Sequence, residues 1–419
     1  MLRKLFIALA ALTFVAAASA KDQGIVEGMS VPRLKALGEQ IRAEVNSGRL
    51  PGAVIMVSRN GKLVYSDVIG AQDPKSSAPM RRDSIFRIYS MTKPIVSVAV
   101  MMLVEEGRLA LTDPVSKYIP ELKDLKVGVE KTDASGNKTL ELVPATREMT
   151  VQDLLRHTSG LTYGVFGKSL VKDEYTKAGV DSWDQTNVEV MQKLARVPLQ
   201  FQPGSTWEYS RSVDVLGHLL ERISGQSLDK HLDERVLKPL RMKDTGFWVQ
   251  QAKQDRIAEA FEADPDTKAK VNLIEIRQPP KLFSGGGGGV STAGDYLRFT
   301  QMLLNGGQLE GVRLLSKKTV EYMMSDHLGA VRATSTQRGA AYLPGPGYGF
   351  GLGFAVRMRT GEAGTAGTPG ESNWGGLGGT AFWVDPNEKL AVVWMAQGPG
   401  QRGYFRQVLR NRIYGAMLK

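Results

Sequence analysis

Leu34, Leu37, Ile41 and Val45 recur at helical spacing, which predicts an amphipathic helix ending near Ser47-Gly48. Ala53-Val54-Ile55-Met56-Val57 then reads as a strand, and Asn60-Gly61 before Leu63-Val64-Tyr65 marks a tight hairpin. A second extended run, Ile85 to Tyr89, leads into an apolar helical stretch from Ile95 to Leu103. From Ser90 to about Lys281 the pattern is mostly helical, with long polar connections. Asp153–His157 and Val215–Leu220 read as parts of buried helices, and Lys126 to Val143 as an inserted hairpin turning at Ser135-Gly136-Asn137. Beyond the glycine run Gly285–Gly289, Tyr296–Leu304 is helical, with a cap near Ser291-Thr292. Alternation returns over Tyr348–Phe354, and Phe382–Val384 and Leu390–Met395 are strands. A helix over Arg406–Leu418 closes the chain.

β-rich segments therefore lie at both ends with a helical block between. This predicts an α/β (α+β) fold in which an antiparallel sheet is flanked by helices and carries a helical lobe. The sheet lobe is expected over about 21–85 and 285–419, the helical lobe over about 86–284, and the active site at their seam.

Arg3 and Lys4, an apolar run from Leu5 to Ala18, and Ala18-Ser19-Ala20 have the form of a signal peptide over residues 1–20. The expected mature chain, from Lys21, is periplasmic or secreted and has no membrane span. There is no cysteine, which excludes disulfides, thiol catalysis and a lipoprotein anchor. The formal charge of +11 is spread along the chain among acidic residues, without a basic block interleaved with aromatics, so nucleic acid is not an expected partner. His157, His218, His231 and His327 show no metal-ligand spacing, and neither a metal nor a cofactor is expected. The glycine run is followed by no Gly-Lys-Ser/Thr, which sets aside a phosphate loop, and no Gly-x-Ser-x-Gly elbow occurs.

The chemistry is concentrated at Ser90-Met91-Thr92-Lys93, where strand meets helix. A serine there lies near free backbone N–H groups and the positive helix end. Lys93, three residues on, shares its face and can take its proton. Ser135–Lys138, Ser169–Lys172 and Ser227–Lys230 repeat the spacing, but in a turn and in polar stretches expected to be solvated. Two further segments bear on the site. Pro203-Gly204-Ser205-Thr206-Trp207-Glu208-Tyr209-Ser210 puts a tyrosine before a helical run. Glu371 to Thr380 puts Trp374-Gly375-Gly376 on a strand, where glycines allow close approach.

Together with Leu154-Leu155-Arg156-His157-Thr158-Ser159-Gly160-Leu161, Asp214-Val215-Leu216-Gly217 and Ser291-Thr292-Ala293-Gly294-Asp295, these segments resemble the serine β-lactamase and penicillin-binding-protein superfamily. Within it, the chain is most similar to class C β-lactamase-like family VIII carboxylesterases. The resemblance implies a β-lactamase/transpeptidase-like fold with Ser90 as nucleophile and Lys93 and Tyr209 in proton transfer. It implies an oxyanion hole from the backbone N–H groups of Ser90 and Leu377, with Trp374, Gly375 and Gly376 flanking the substrate. Where β-lactamases carry Tyr-x-Asn and Lys-Thr/Ser-Gly, this chain has Tyr209-Ser210-Arg211 and Trp374-Gly375-Gly376. The second change favours a short-chain ester over a β-lactam or a D-amino-acid peptide, because both of the latter bring a carboxylate. An Arg211 guanidinium aimed into the pocket would restore a partner for that carboxylate. A non-catalytic penicillin-sensing or wall-binding protein would share the fold. Whether Lys93, depressed by burial, or a Tyr209 phenolate is the base is left open by the residues, as is the oligomeric state.

Overall fold

The computed structural model describes residues 24–334 and 345–419. The expected signal segment, 1–20, lies outside the described residues. Helix α1 (Val31–Asn46) starts at Ser30, whose hydroxyl accepts the Arg33 N–H, and it buries Leu34, Leu37 and Ile41. Strands β1 (Gly52–Arg59) and β2 (Lys62–Asp73) form a hairpin around Asn60-Gly61, both with positive φ, as a two-residue turn of this hand requires. A two-residue strand, β3 (Ala78–Pro79), ends that side of the sheet.

Strand β4 (Phe86–Tyr89) leads into α2 (Thr92–Glu105). The hairpin β5 (Lys126–Thr132) and β6 (Lys138–Pro144) follows, then the one-turn helix α3 (Val151–Leu155) and the long α4 (Ser212–Ser224). The middle of the chain is less helical than its pattern suggests. Other helices here are short, such as Leu170–Lys177 and Asn187–Leu194, and between Leu237 and Gly289 the only regular piece is a 3₁₀ turn at Gln251–Arg256. His157 is not helical: its φ of 58° takes it out of α3.

Strand β7 (Gly289–Ser291) pairs with β4 as a separate ribbon, and α5 (Ala293–Leu304) is capped by Thr292. The chain ends with β8 (Tyr348–Phe350), β9 (Ala355–Arg357), β10 (Ser372–Gly375), β11 (Ala381–Asp385), β12 (Leu390–Ala396) and α6 (Arg402–Tyr414). The last helix begins and ends four residues before its predicted limits. The eight-stranded sheet runs β8-β9-β10-β11-β12-β1-β2-β3, antiparallel throughout, and Val57 opposite Val392 joins the two chain ends.

Both faces of the central strands are buried, so they read as continuous apolar runs rather than alternating ones. Ile55, Val57, Trp383, Val392 and Trp394 pack with α1 and α6. Val54, Met56, Phe382, Val393 and Met395 face α5 and the helical lobe. The β4–β7 ribbon lies at the seam between the two lobes and carries the nucleophile candidate at its end.

Candidate active site

Ser90 follows directly on β4, where Tyr89 adopts a φ of 43°, an uncommon conformation for a bulky residue. The turn is pinned from several sides. The Thr92 hydroxyl donates to Tyr89 O at 2.6 Å and accepts Gly289 N–H at 2.9 Å, while Tyr296 Oη donates to Met91 O at 2.9 Å. Lys93, in the first turn of α2, is 1% exposed. Its Nζ lies 3.2 Å from Ser90 Oγ, 3.2 Å from Tyr163 Oη and 2.5 Å from Gly286 O. Tyr209 Oη donates to Ser90 Oγ at 2.6 Å, and Lys93 Nζ sits 4.4 Å from the centre of the Tyr209 ring. Hydroxyl, amine and phenol thus meet within hydrogen-bond reach.

Burial is the largest influence on Lys93 and depresses its amine to about 7; Asp214 opposes this and Arg211 adds to it. Burial pushes the Tyr209 phenol up, outweighing the hydrogen bond it makes to Ser90, so it stays protonated near neutrality. A neutral amine has two N–H groups and one lone pair. Gly286 O and Tyr163 Oη take the donors, which leaves the lone pair for the Ser90 hydroxyl.

Gly286 is held in place by Asp214 of α4, whose Oδ1 accepts Ser284 Oγ at 2.5 Å and Gly286 N–H at 3.1 Å. A Cβ at Gly286 would stand 2.5 Å from that carboxylate, so only glycine brings the carbonyl to Lys93. Tyr209 is gripped by rings: Trp207 stacked at 6.1 Å, His157 at 4.9 Å, Tyr163 and Trp374 each at 5.4 Å.

Arg211 is not free to receive a carboxylate. It is 4% exposed, donates through Nε to Asp181 at 2.9 Å and through Nη1 to Asp214 at 3.4 Å, and stacks over Tyr163. Trp374 is also buried and packs on Tyr209 and Phe350, so it presents little surface to a substrate. The neighbours that Gly375 and Gly376 admit are protein groups. A Cβ at Gly375 would collide with the Arg406 guanidinium behind the sheet, and one at Gly376 would lie 2.4 Å from Ile88 O. Their effect is to dock the following turn on β4. There Gly376 N–H bonds Thr380 O at 2.9 Å, and no hydrogen bond from the N–H of Leu377 or Ser90 is found among the described residues.

The chain is similar to known proteins over most of its length. The beta-lactamase family model matches residues 37–414. The chain belongs to the beta-lactamase family. It is thereby a member of the β-lactamase/transpeptidase-like serine hydrolase superfamily. An uncharacterised protein of Mycobacterium tuberculosis is 38% identical over 85% of this chain and 88% of its own. Esterase EstB of Burkholderia gladioli is 33% identical over 91% and 94%. The solved structure of EstCE1, a hydrolase with promiscuous acyltransferase activity, superposes with a TM-score of 0.75 at 26% identity, covering 92% of this chain and 98% of that one.

Within this beta-lactamase-family chain, sequence reasoning passed over Tyr163, Asp181 and Gly286, which surround Lys93 and Arg211. It gave Asp214 no role. Tyr163 stands two residues after the Leu154–Leu161 stretch, and that adjacency was the one available signal. Of the other Ser-x-x-Lys pairs, Ser169–Lys172 is not solvated. Ser169 caps a helix, and Lys172 is buried against Glu208 at 2.8 Å.

Proposed function

We propose that this protein hydrolyses short-chain (roughly C2–C6), uncharged carboxylic esters through an acyl-enzyme on Ser90. The carrying observation is a lysine amine near neutrality bound to a serine hydroxyl that also receives a protonated tyrosine. In this reading Lys93 takes the proton as Ser90 Oγ bonds to the ester carbonyl carbon. The Ser90 and Leu377 N–H groups hold the oxyanion; losing one such donor costs ~10²–10³ in rate. As the ester C–O bond breaks, the leaving oxygen takes the Tyr209 proton, which Lys93 restores. Water then attacks the acyl carbon as Lys93 accepts its proton; the acyl–Oγ bond breaks, that proton passes from Lys93 to Ser90 Oγ, and the acid is released. The similarity to the esterase EstB and the hydrolase EstCE1 supports esterase chemistry. An alcohol in place of water would make the same cycle an acyl transfer.

Weak or absent β-lactam hydrolysis, confined to easily opened cephalosporins, follows from the lack of a carboxylate partner. Trp374 stands in the third motif and Arg211 is already bound by two aspartates. A buried carboxylate without partners is disfavoured by several kcal/mol. We place this activity outside the cytoplasm, on the strength of the signal-like segment at residues 1–20. The test compares kcat/KM for 4-nitrophenyl butyrate and nitrocefin on wild type and Ser90→Ala. The butyrate should dominate, and the variant should turn over neither. A faster cephalosporin would make the protein a β-lactamase. One round of acylation without release would make it a penicillin-sensing protein.

A further inference from the structure

Two large apolar side chains stand exposed beside the nucleophile and have no part in the proton transfers. Trp183 is 41% exposed and Leu377 is 37% exposed. Trp183 lies near Gly287 and Leu377 adjoins Gly378, and both glycines approach Tyr89, the residue before Ser90. A Cβ placed on Gly287 would lie 3.7 Å from Trp183 Cη2 and 3.8 Å from the Tyr89 carbonyl carbon, so the indole edge reaches the glycine run where it crosses Tyr89. On the other side, a Cβ on Gly378, next to Leu377, would lie 3.0 Å from the Tyr89 ring.

The exposure of Trp183 is built in. Its segment is tied by Asp181, which accepts Gly164 N–H at 2.8 Å and Arg211 Nε at 2.9 Å. Gln185 donates to Val180 O and Ser182 O, and Lys281 pairs with Asp184 at 2.7 Å. The segment that carries it is thus fixed, and the partly exposed indole lies near Gly287, one residue from the Gly286 carbonyl that holds Lys93.

The proposed chemistry fixes which half of an ester meets it. The leaving oxygen must take a proton from Tyr209, so the alcohol half lies towards Tyr209, beside the partly exposed Phe166. The acyl half then points the other way, over Tyr89. We infer that Trp183 and Leu377 are the walls of an acyl subsite, and that the enzyme prefers apolar acyl groups of about four carbons or more to acetyl. This rests on the Ser90 esterase reading and deepens it.

Each methylene fully buried on transfer from water is worth about a four-fold gain in kcat/KM, and half-burial of the two extra methylenes sets the butanoyl-to-acetyl ratio at roughly four-fold. The experiment measures kcat/KM for two ester series: 4-nitrophenyl acetate, butanoate and hexanoate, and acetates of ethanol, butanol and hexanol. It uses wild type, Trp183→Ala and Trp183→Phe, each normalised to sites titrated with a fluorophosphonate. Trp183→Ala should lower butanoate turnover more than acetate and bring their ratio towards one. Trp183→Phe should keep part of it, and the slope of the alcohol series should not move. An unchanged acyl ratio, or a flattened alcohol series, overturns the assignment while leaving the Ser90 reading intact. Turnover surviving in Ser90→Ala would instead remove the reading on which it rests.

Discussion

Replacing Lys93 by methionine should stabilise the protein at neutral pH while abolishing its activity. Lys93 sits at 1% exposure with its amine depressed to about 7 from an ordinary 10.5. In the unfolded chain the amine titrates normally. Between pH 7 and 10.5 the unfolded state therefore binds one more proton, and wild-type stability rises with pH through that window. At about 1.36 kcal/mol per pKa unit, the charge-burial penalty below pH 7 is on the order of 5 kcal/mol. Methionine removes the penalty but leaves Gly286 O without its donor, at a cost of about 2 kcal/mol. The Ser90 and Tyr163 hydroxyls can turn to other partners. The variant should be more stable than wild type by about 3 kcal/mol near pH 7 and less stable by about 2 kcal/mol above pH 10.5. Urea unfolding of both proteins at half-unit steps from pH 6.5 to 10 measures this, since titrations common to both cancel in the difference. A difference that stays flat across the range would mean that Lys93 is not held near neutrality, and the assignment of base would fail with it.

Arg211→Gln removes a positive neighbour of Lys93 and frees two carboxylates, so the lysine should hold its proton more tightly. The acid limb of the kcat/KM–pH profile should move to higher pH, and an unmoved limb would separate Arg211 from the relay. Lys93→Met and Tyr209→Phe should each cost nearly as much activity as the two combined, because groups that work as one unit are non-additive. Multiplicative losses in the double variant would show that they act independently.

Ser90, Lys93 and Tyr209 were visible in the sequence because their signals are local. Ser-x-x-Lys needs a strand-to-helix junction, and Tyr209 stands between a Pro-Gly turn and a helix. The glycines at 286 and 376 were visible as residues but not as contacts. Gly286 meets Lys93 across 193 positions, and Tyr163 meets it across 70. No periodicity encodes such distances. The orientation of Arg211 was not legible for the same reason: one of its partners, Asp181, lies in an irregular segment. Lys172 looked solvated because its segment is polar, yet it crosses to Glu208 in the core. The sheet was legible from the β-rich chain ends. The irregular backbone from Leu237 to Gly289 was not, since it is organised by side-chain ties such as Arg87 to Ala258 O and Glu259 rather than by repeating pattern.

The pairing of β1 with β12 sets the order in which this molecule can be completed. Val57 must wait for Val392, so most of the chain is synthesised before the sheet can close. Until then the β1–β2 hairpin presents an unpaired apolar edge, of the kind that recruits other chains. Contacts this distant in sequence make folding slow and leave the partly made chain exposed to aggregation. A chain stopped before Leu390 would contain Ser90, Lys93, Tyr209 and the Leu377 turn, yet it would lack the strand that joins β11 to β1. It would hold every residue of the proposed relay without the closed sheet that backs them.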